Sequence, residues 1–181
     1  MHYTNPITFL FFVFILFSWV PTNGQDSINR PAELPPGSVR IPKEVKVDDA
    51  DARLLTAVYS TIGYPRIARE AGVMGAVSVH LHIDSLGELT VRRAEFYTPE
   101  EAAPRLSRLR SEQVIGVVGY SIPKGPVPAL TKSLKRRARA QAALVDEVTR
   151  TFLTLPQFAP AVRDGRAVPS DVLYVITFKL E

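Results

Sequence analysis

Gly75-Ala76-Val77-Ser78-Val79-His80-Leu81-His82-Ile83-Asp84-Ser85-Leu86-Gly87-Glu88-Leu89-Thr90-Val91-Arg92-Arg93-Ala94-Glu95-Phe96 is the stretch whose reading decides the fold. Val77, Val79, Leu81 and Ile83 alternate with Ser78, His80 and His82, the period-two pattern of a strand with one covered face. Asp84-Ser85-Leu86-Gly87 is a hairpin turn, with a glycine free to take positive φ. Glu88 to Phe96 returns as a second strand, and its alternation slips at Arg92-Arg93, which predicts a β-bulge.

Working outward, two short helices precede the hairpin. Leu54, Leu55, Val58 and Tyr59 form one apolar face over Asp48 to Tyr59. Gly63-Tyr64-Pro65 breaks that helix. Pro65 then opens a second one that ends at Gly72. After the hairpin, Thr98-Pro99-Glu100-Glu101 combines a cap, a proline at the first helical position and a capping-box glutamate. Val114 to Tyr120 reads equally as a strand or a buried loop. A long helix is expected from about Ala129 to Leu153, basic in its first half and apolar on one face through Leu144, Val145, Val148 and Phe152. Asp164-Gly165 is a tight turn before a final strand, Val172 to Leu180. The order predicts an α+β fold: a three-stranded antiparallel sheet with helices packed on one face. The connection between the second strand and the last helix, about 97–139, is enlarged.

The N-terminus is of a different kind. Ile7 to Val20 is apolar apart from Thr8 and Ser18, and as a helix it would be about 21 Å long. A bilayer core needs about 30 Å, so the run fits a signal-peptide core better than a membrane span. Residues 1–24 are therefore expected to be a signal peptide, cleaved after Gly24, with a retained signal anchor as the competing reading. Pro31, Pro35, Pro36 and Pro42 make 25–47 a Pro-containing tether, and 48–181 the folded domain. The chain has no cysteine, which excludes disulfides and thiol chemistry. A net charge of +4 is too small to argue for nucleic acid.

Candidate chemistry is sparse. His80 and His82 share a strand face but lack an evident third ligand, so no metal is assigned. Asp84 and Glu88 flank a turn, where such residues are ordinary. Gly119-Tyr120-Ser121-Ile122-Pro123 has proline where a nucleophile elbow needs glycine. The basic run Lys132 to Arg139 has no interleaved aromatic residue. No catalytic set and no cofactor fingerprint emerges, and the expectation is a protein that is not an enzyme.

Tyr64-Pro65 followed by Ala68-Arg69-Glu70-Ala71-Gly72, the Val77–Val91 hairpin, Phe158-Ala159-Pro160-Ala161 with Asp164-Gly165, and Ile176-Thr177-Phe178-Lys179-Leu180 together resemble the C-terminal domain of the TonB family. The resemblance covers roughly 50–96 and 140–180. Where the family carries a tryptophan two residues before the aligned Phe158, this chain has Pro156. The resemblance implies a non-enzymatic module of the periplasm or cell envelope that binds a partner peptide by strand addition. It implies an outer-membrane transporter peptide as partner, in energy-coupled transport, and an interface at Tyr64, Pro65, Leu173, Tyr174, Val175, Ile176 and Thr177. Leu173, Val175 and Thr177 are expected to be the more exposed set. The alternative is a soluble periplasmic ligand-binding protein or enzyme with a pocket built from 97–139.

Overall fold

The structure, a computed structural model, describes residues 28–40, 50–120 and 130–181. The apolar run Ile7–Val20, the cleavage site and Ser121 lie outside the described residues. Among these residues no helix is long and apolar enough to cross a membrane.

Helices α1 (Ala50–Thr61) and α2 (Arg66–Ala71) lead into strands β1 (Gly75–Ile83) and β2 (Leu89–Tyr97). Helix α3 (Pro99–Leu106), a 3-10 turn (Ser111–Gln113) and β3 (Val114–Gly119) follow. Helix α4 (Leu130–Leu153), the short β4 (Ala161–Arg163) and β5 (Arg166–Val168), and β6 (Ser170–Leu180) complete the chain. The local signals act as their chemistry dictates. Gly72 takes the left-handed conformation at φ +60° and ends α2. Thr98 and Glu101 close the capping box at the start of α3, with Thr98 N–H donating to Glu101 Oε2 at 2.9 Å. In the β1–β2 ladder His80 faces Arg93 while Leu81 faces Val91, so Arg92 is the bulged residue. Asp164 and Gly165, both at positive φ, turn the β4–β5 hairpin.

The sheet differs from expectation in one strand. It has four strands in the order β2-β1-β6-β3. Of the three expected strands, β1 pairs antiparallel with both β2 and β6, and β3 adds to β6 in parallel, Val114 opposite Val175 through Gly119 opposite Leu180. Mixed sheets of this kind need a long crossover, which the enlarged connection and α4 supply.

The main core lies on one face. Val77, Val79, Leu81 and Ile83 of β1, Ile176 and Phe178 of β6, and Ile115 and Val117 of β3 pack against α1, α2 and α4. Ala140, Leu144, Val148 and Phe152 recur every fourth residue along α4 and are fully buried. The largest of these side chains are each worth about 1.5–3 kcal/mol of burial. Helix α3 does not join them. It packs on the opposite face, where Ala102 meets Ala76 and Val175 in a second small cluster. Helices therefore occupy both faces and not one. Ala76 and Val175 are apolar at positions of the outer face, and a cover there removes them from water.

The stretch expected as a tether also folds in. Leu34 is fully buried in the core, and Glu33 bridges Ala159 as Arg30 bridges Val162. Arg53 secures it: its Nε donates to the Leu34 carbonyl at 2.7 Å, and Nη2 lies 3.4 Å from Glu33 Oε2. A buried guanidinium is tolerable only with such partners. Over 28–40, then, the chain belongs to the domain.

Candidate functional site

The residues expected at an interface fall into two groups. Leu173 to Thr177 form the middle of β6, which has a strand on each side. β1 pairs along Ser170–Phe178, and β3 pairs along Val175–Leu180. Before β3 begins, Gln113 Nε2 donates to the Leu173 carbonyl at 3.1 Å. The last strand thus offers no free ladder edge over Val175–Leu180. Tyr174 and Ile176 point into the core, and Tyr174 stacks on Phe152 at 5.7 Å. Burial, with a smaller contribution from Asp51, pushes the Tyr174 hydroxyl up to about 12. Val175, expected on the exposed side, is buried at 5% beneath α3; Leu173 and Thr177 are half-buried.

Tyr64 and Pro65 form the second group. The Tyr64 hydroxyl donates to the Val73 carbonyl, and its ring meets Phe178 edge-on at 5.2 Å. Burial raises its hydroxyl to about 12. The ring also fills the space beside Gly119, where a Cβ would lie 2.5 Å from Tyr64 Cδ2. Pro65 starts α2, its carbonyl accepting from Ala68 and Arg69 N–H at 3.0 and 3.1 Å. The structure therefore brings Tyr64 to the end of β6 and β3, as a packing residue. Pro65 stays a helix-start residue.

With β6 inside the sheet, the outer strands are β2 and β3. On β2, Arg92 bulges and pairs with Asp171 at 3.3 Å, while Arg93 pairs with Glu95. The Tyr97 hydroxyl donates to Glu95 at 2.7 Å. This bond first, and Arg93 second, hold the Glu95 carboxyl below its ordinary range. His82 also meets Asp171, at 2.9 Å, and among the described residues no cluster of three or more His, Asp or Glu could hold a metal.

β3 has no charge at all: Val114-Ile115-Gly116-Val117-Val118-Gly119. Ile115 and Val117 face the core; Val118 is 55% exposed. The Gly116 carbonyl accepts from the Tyr59 hydroxyl of α1 at 3.1 Å, so Gly116 turns its backbone away from β6. Backbone groups alternate sides along a strand, so Val118 turns the same way while Ile115, Val117 and Gly119 serve β6. The Gly119 carbonyl accordingly accepts from Glu181 N–H at 2.9 Å. Among the described residues no strand pairs with the outer side of β3. Tyr59, expected on the buried face of α1, is 52% exposed here, and Tyr120 just past the strand is 73% exposed. Sequence reasoning did not single out Gly116, Val118 or Tyr59 as site residues. The available signal was the pair of glycines three apart inside an uncharged run.

Comparison with protein-family models, with curated proteins and with solved structures returns no match.

Proposed function

We propose that this chain is a non-enzymatic binding module of the cell envelope that engages an extended partner peptide by strand addition, at β3. The observation that carries the reading is the outer side of β3, which no strand pairs among the described residues, and which is uncharged and bordered by exposed Tyr59, Val118 and Tyr120. A peptide adding there would take main-chain hydrogen bonds from Gly116 and Val118, and alternate side chains would set its register. The resemblance to the TonB family supports the mode, the exported location expected from the N-terminal run, and a transporter peptide as partner in energy-coupled transport. The place is new. The family's last-strand edge is here filled by the chain's own β3, so the accepting edge moves one strand outward. Tyr64 and Phe178 support that edge from beneath instead of touching the partner.

A photoreactive residue at Tyr120, in cells producing the full chain, should give an adduct with an envelope protein, whereas one at Arg93 on β2 should not. Val118→Pro should remove the Tyr120 adduct while leaving thermal unfolding nearly unchanged, because that N–H serves no ladder. Adducts from Arg93, or a Tyr120 adduct that survives the proline, would refute the assignment.

A further inference from the structure

Helix α3 stands slightly off the outer face of the sheet and roofs a cavity of about 240 Å³. Its floor is the outer face of β1 and β6, with Ser78 at the bottom and His80 at the mouth; Tyr97 forms one wall. The roof comes from Arg105, Leu106, Arg108 and Leu109. Two properties of this space point to one class of ligand, and a third supplies a test of how that ligand lies. First, the floor and roof are mostly apolar: Leu106, Leu109, Leu173 and Val175 face it. Second, among the described residues its charged lining consists of two arginines, and no carboxylate lines it. Arg105 lies over the Tyr97 ring at 4.3 Å, a cation–π contact that holds the guanidinium at the rim. The nearby Glu95 attracts it but is bonded to Tyr97 and Arg93. Third, the Ser78 hydroxyl, on a residue only 7% exposed, has no hydrogen-bond partner among the described residues. A buried hydroxyl without a partner costs stability.

We propose that this cavity binds a small amphiphilic carboxylate. Its carboxylate sits between Arg105 and Arg108, and its apolar body lies over Val175 and Leu106, toward Ser78. Arginine pairs with carboxylates through parallel hydrogen bonds, and two guanidiniums with no salt bridge among the described residues, above an apolar floor, match a head and tail of that kind. The proposal is independent of strand addition, because the cavity lies on the face of β1 and β6 beneath α3, whereas a peptide would add in the plane of the sheet at the outer side of β3.

The test is calorimetric titration of the full chain, purified as the cell processes it, with octanoate, octylammonium and acetate. Octanoate should bind at one site per chain, octylammonium should not bind, and acetate should bind far more weakly. R105Q/R108Q, checked for folding by its amide spectrum, should bind octanoate about tenfold more weakly or worse, the loss of one charge-assisted hydrogen bond. Ser78→Ala gives a second readout. It removes an unpartnered hydroxyl beside the alkyl tail, so the free protein should be as stable or more stable, and octanoate should bind as tightly or more tightly; a tenfold loss would mean that the carboxylate sits at Ser78 and not at the arginines. Equal binding of octanoate and octylammonium, undiminished binding by R105Q/R108Q, or no binding of octanoate at all would each overturn the assignment.

Discussion

Strand β2, at one side of the sheet, is nine residues long, bulged at Arg92 and laced with ion pairs through Arg92, Arg93 and Glu95. Strand β3, at the other side, is six residues long, carries no charge and includes two glycines. Both end a sheet, so both present backbone groups that could template another strand. β2 shows the devices by which proteins blunt such an edge. β3 shows one, its shortness, together with a single hydroxyl from Tyr59 on one carbonyl. Among the described residues, then, the fold guards one edge and leaves the other without a strand. Under the proposed function, β3 would be the strand-accepting edge in place of the covered last strand.

The largest expected effect tests which way β3 faces. Val117→Pro removes a donor to β6 and a nearly buried side chain, and should cost about 2–4 kcal/mol in denaturant unfolding. Val118→Pro, one residue on, should cost about 1 kcal/mol or less. Equal losses would mean that the two sides of β3 are not distinct.

Next comes the anchorage of the guarded side. Gly87 closes the β1–β2 hairpin at φ +85°, and its carbonyl accepts from Phe158 N–H at 3.1 Å. A Cβ there would collide with the Phe158 carbonyl oxygen. Gly87→Ala should destabilise the fold by about 2–4 kcal/mol, from the left-handed backbone and the collision together. A neutral result in a thermal melt would show that the hairpin is held less tightly than β2's role requires.

A smaller effect is a pH dependence at the β3 end. The Tyr64 and Tyr174 hydroxyls rise from 10.0 to about 12 through burial, so the folded state holds their protons where the unfolded state releases them. Their stabilisation is complete below pH 10 and is lost as pH rises from 10 to about 12. Tyr64→Phe should flatten part of that decline, leaving the part due to Tyr174. An unchanged slope in unfolding measured from pH 9 to 12 would exclude Tyr64 as its source. The smallest effect belongs to Tyr59→Phe, which frees the Gly116 carbonyl at a cost of about 0.5–1.5 kcal/mol or less at this exposed site. Under the proposed function it leaves peptide addition intact or improves it, as the Tyr120 adduct yield would report.

Much of the guarded side was legible in the sequence. Alternation in β1, the Asp84–Gly87 turn, the slip at Arg92-Arg93 and the Thr98 capping box are local signals, and each formed where its chemistry said. β3 was not legible for a physical reason. In Val-Ile-Gly-Val-Val-Gly both parities are apolar or glycine, so no alternation marks a face. Its parallel partner is some 60 residues away, where Val114 meets Val175. Leu34 was missed for a similar reason. One leucine among prolines carries no period, and its burial depends on Arg53, 19 positions away in sequence. The expectation of an open last-strand edge failed with β3, because an edge is a property of what else reaches the sheet.

Among the described residues β3 is docked on β6 by one side and pairs with no strand on the other. Amide hydrogen exchange, read residue by residue by NMR on the free protein, tests it most directly. The account predicts alternation: Ile115 and Val117 protected, Gly116 and Val118 exchanging at nearly unprotected rates. Uniformly fast exchange through β3 would mean that the strand is undocked and β6 is the open edge. Uniform protection would mean that another segment already covers β3. Either result would contradict the account.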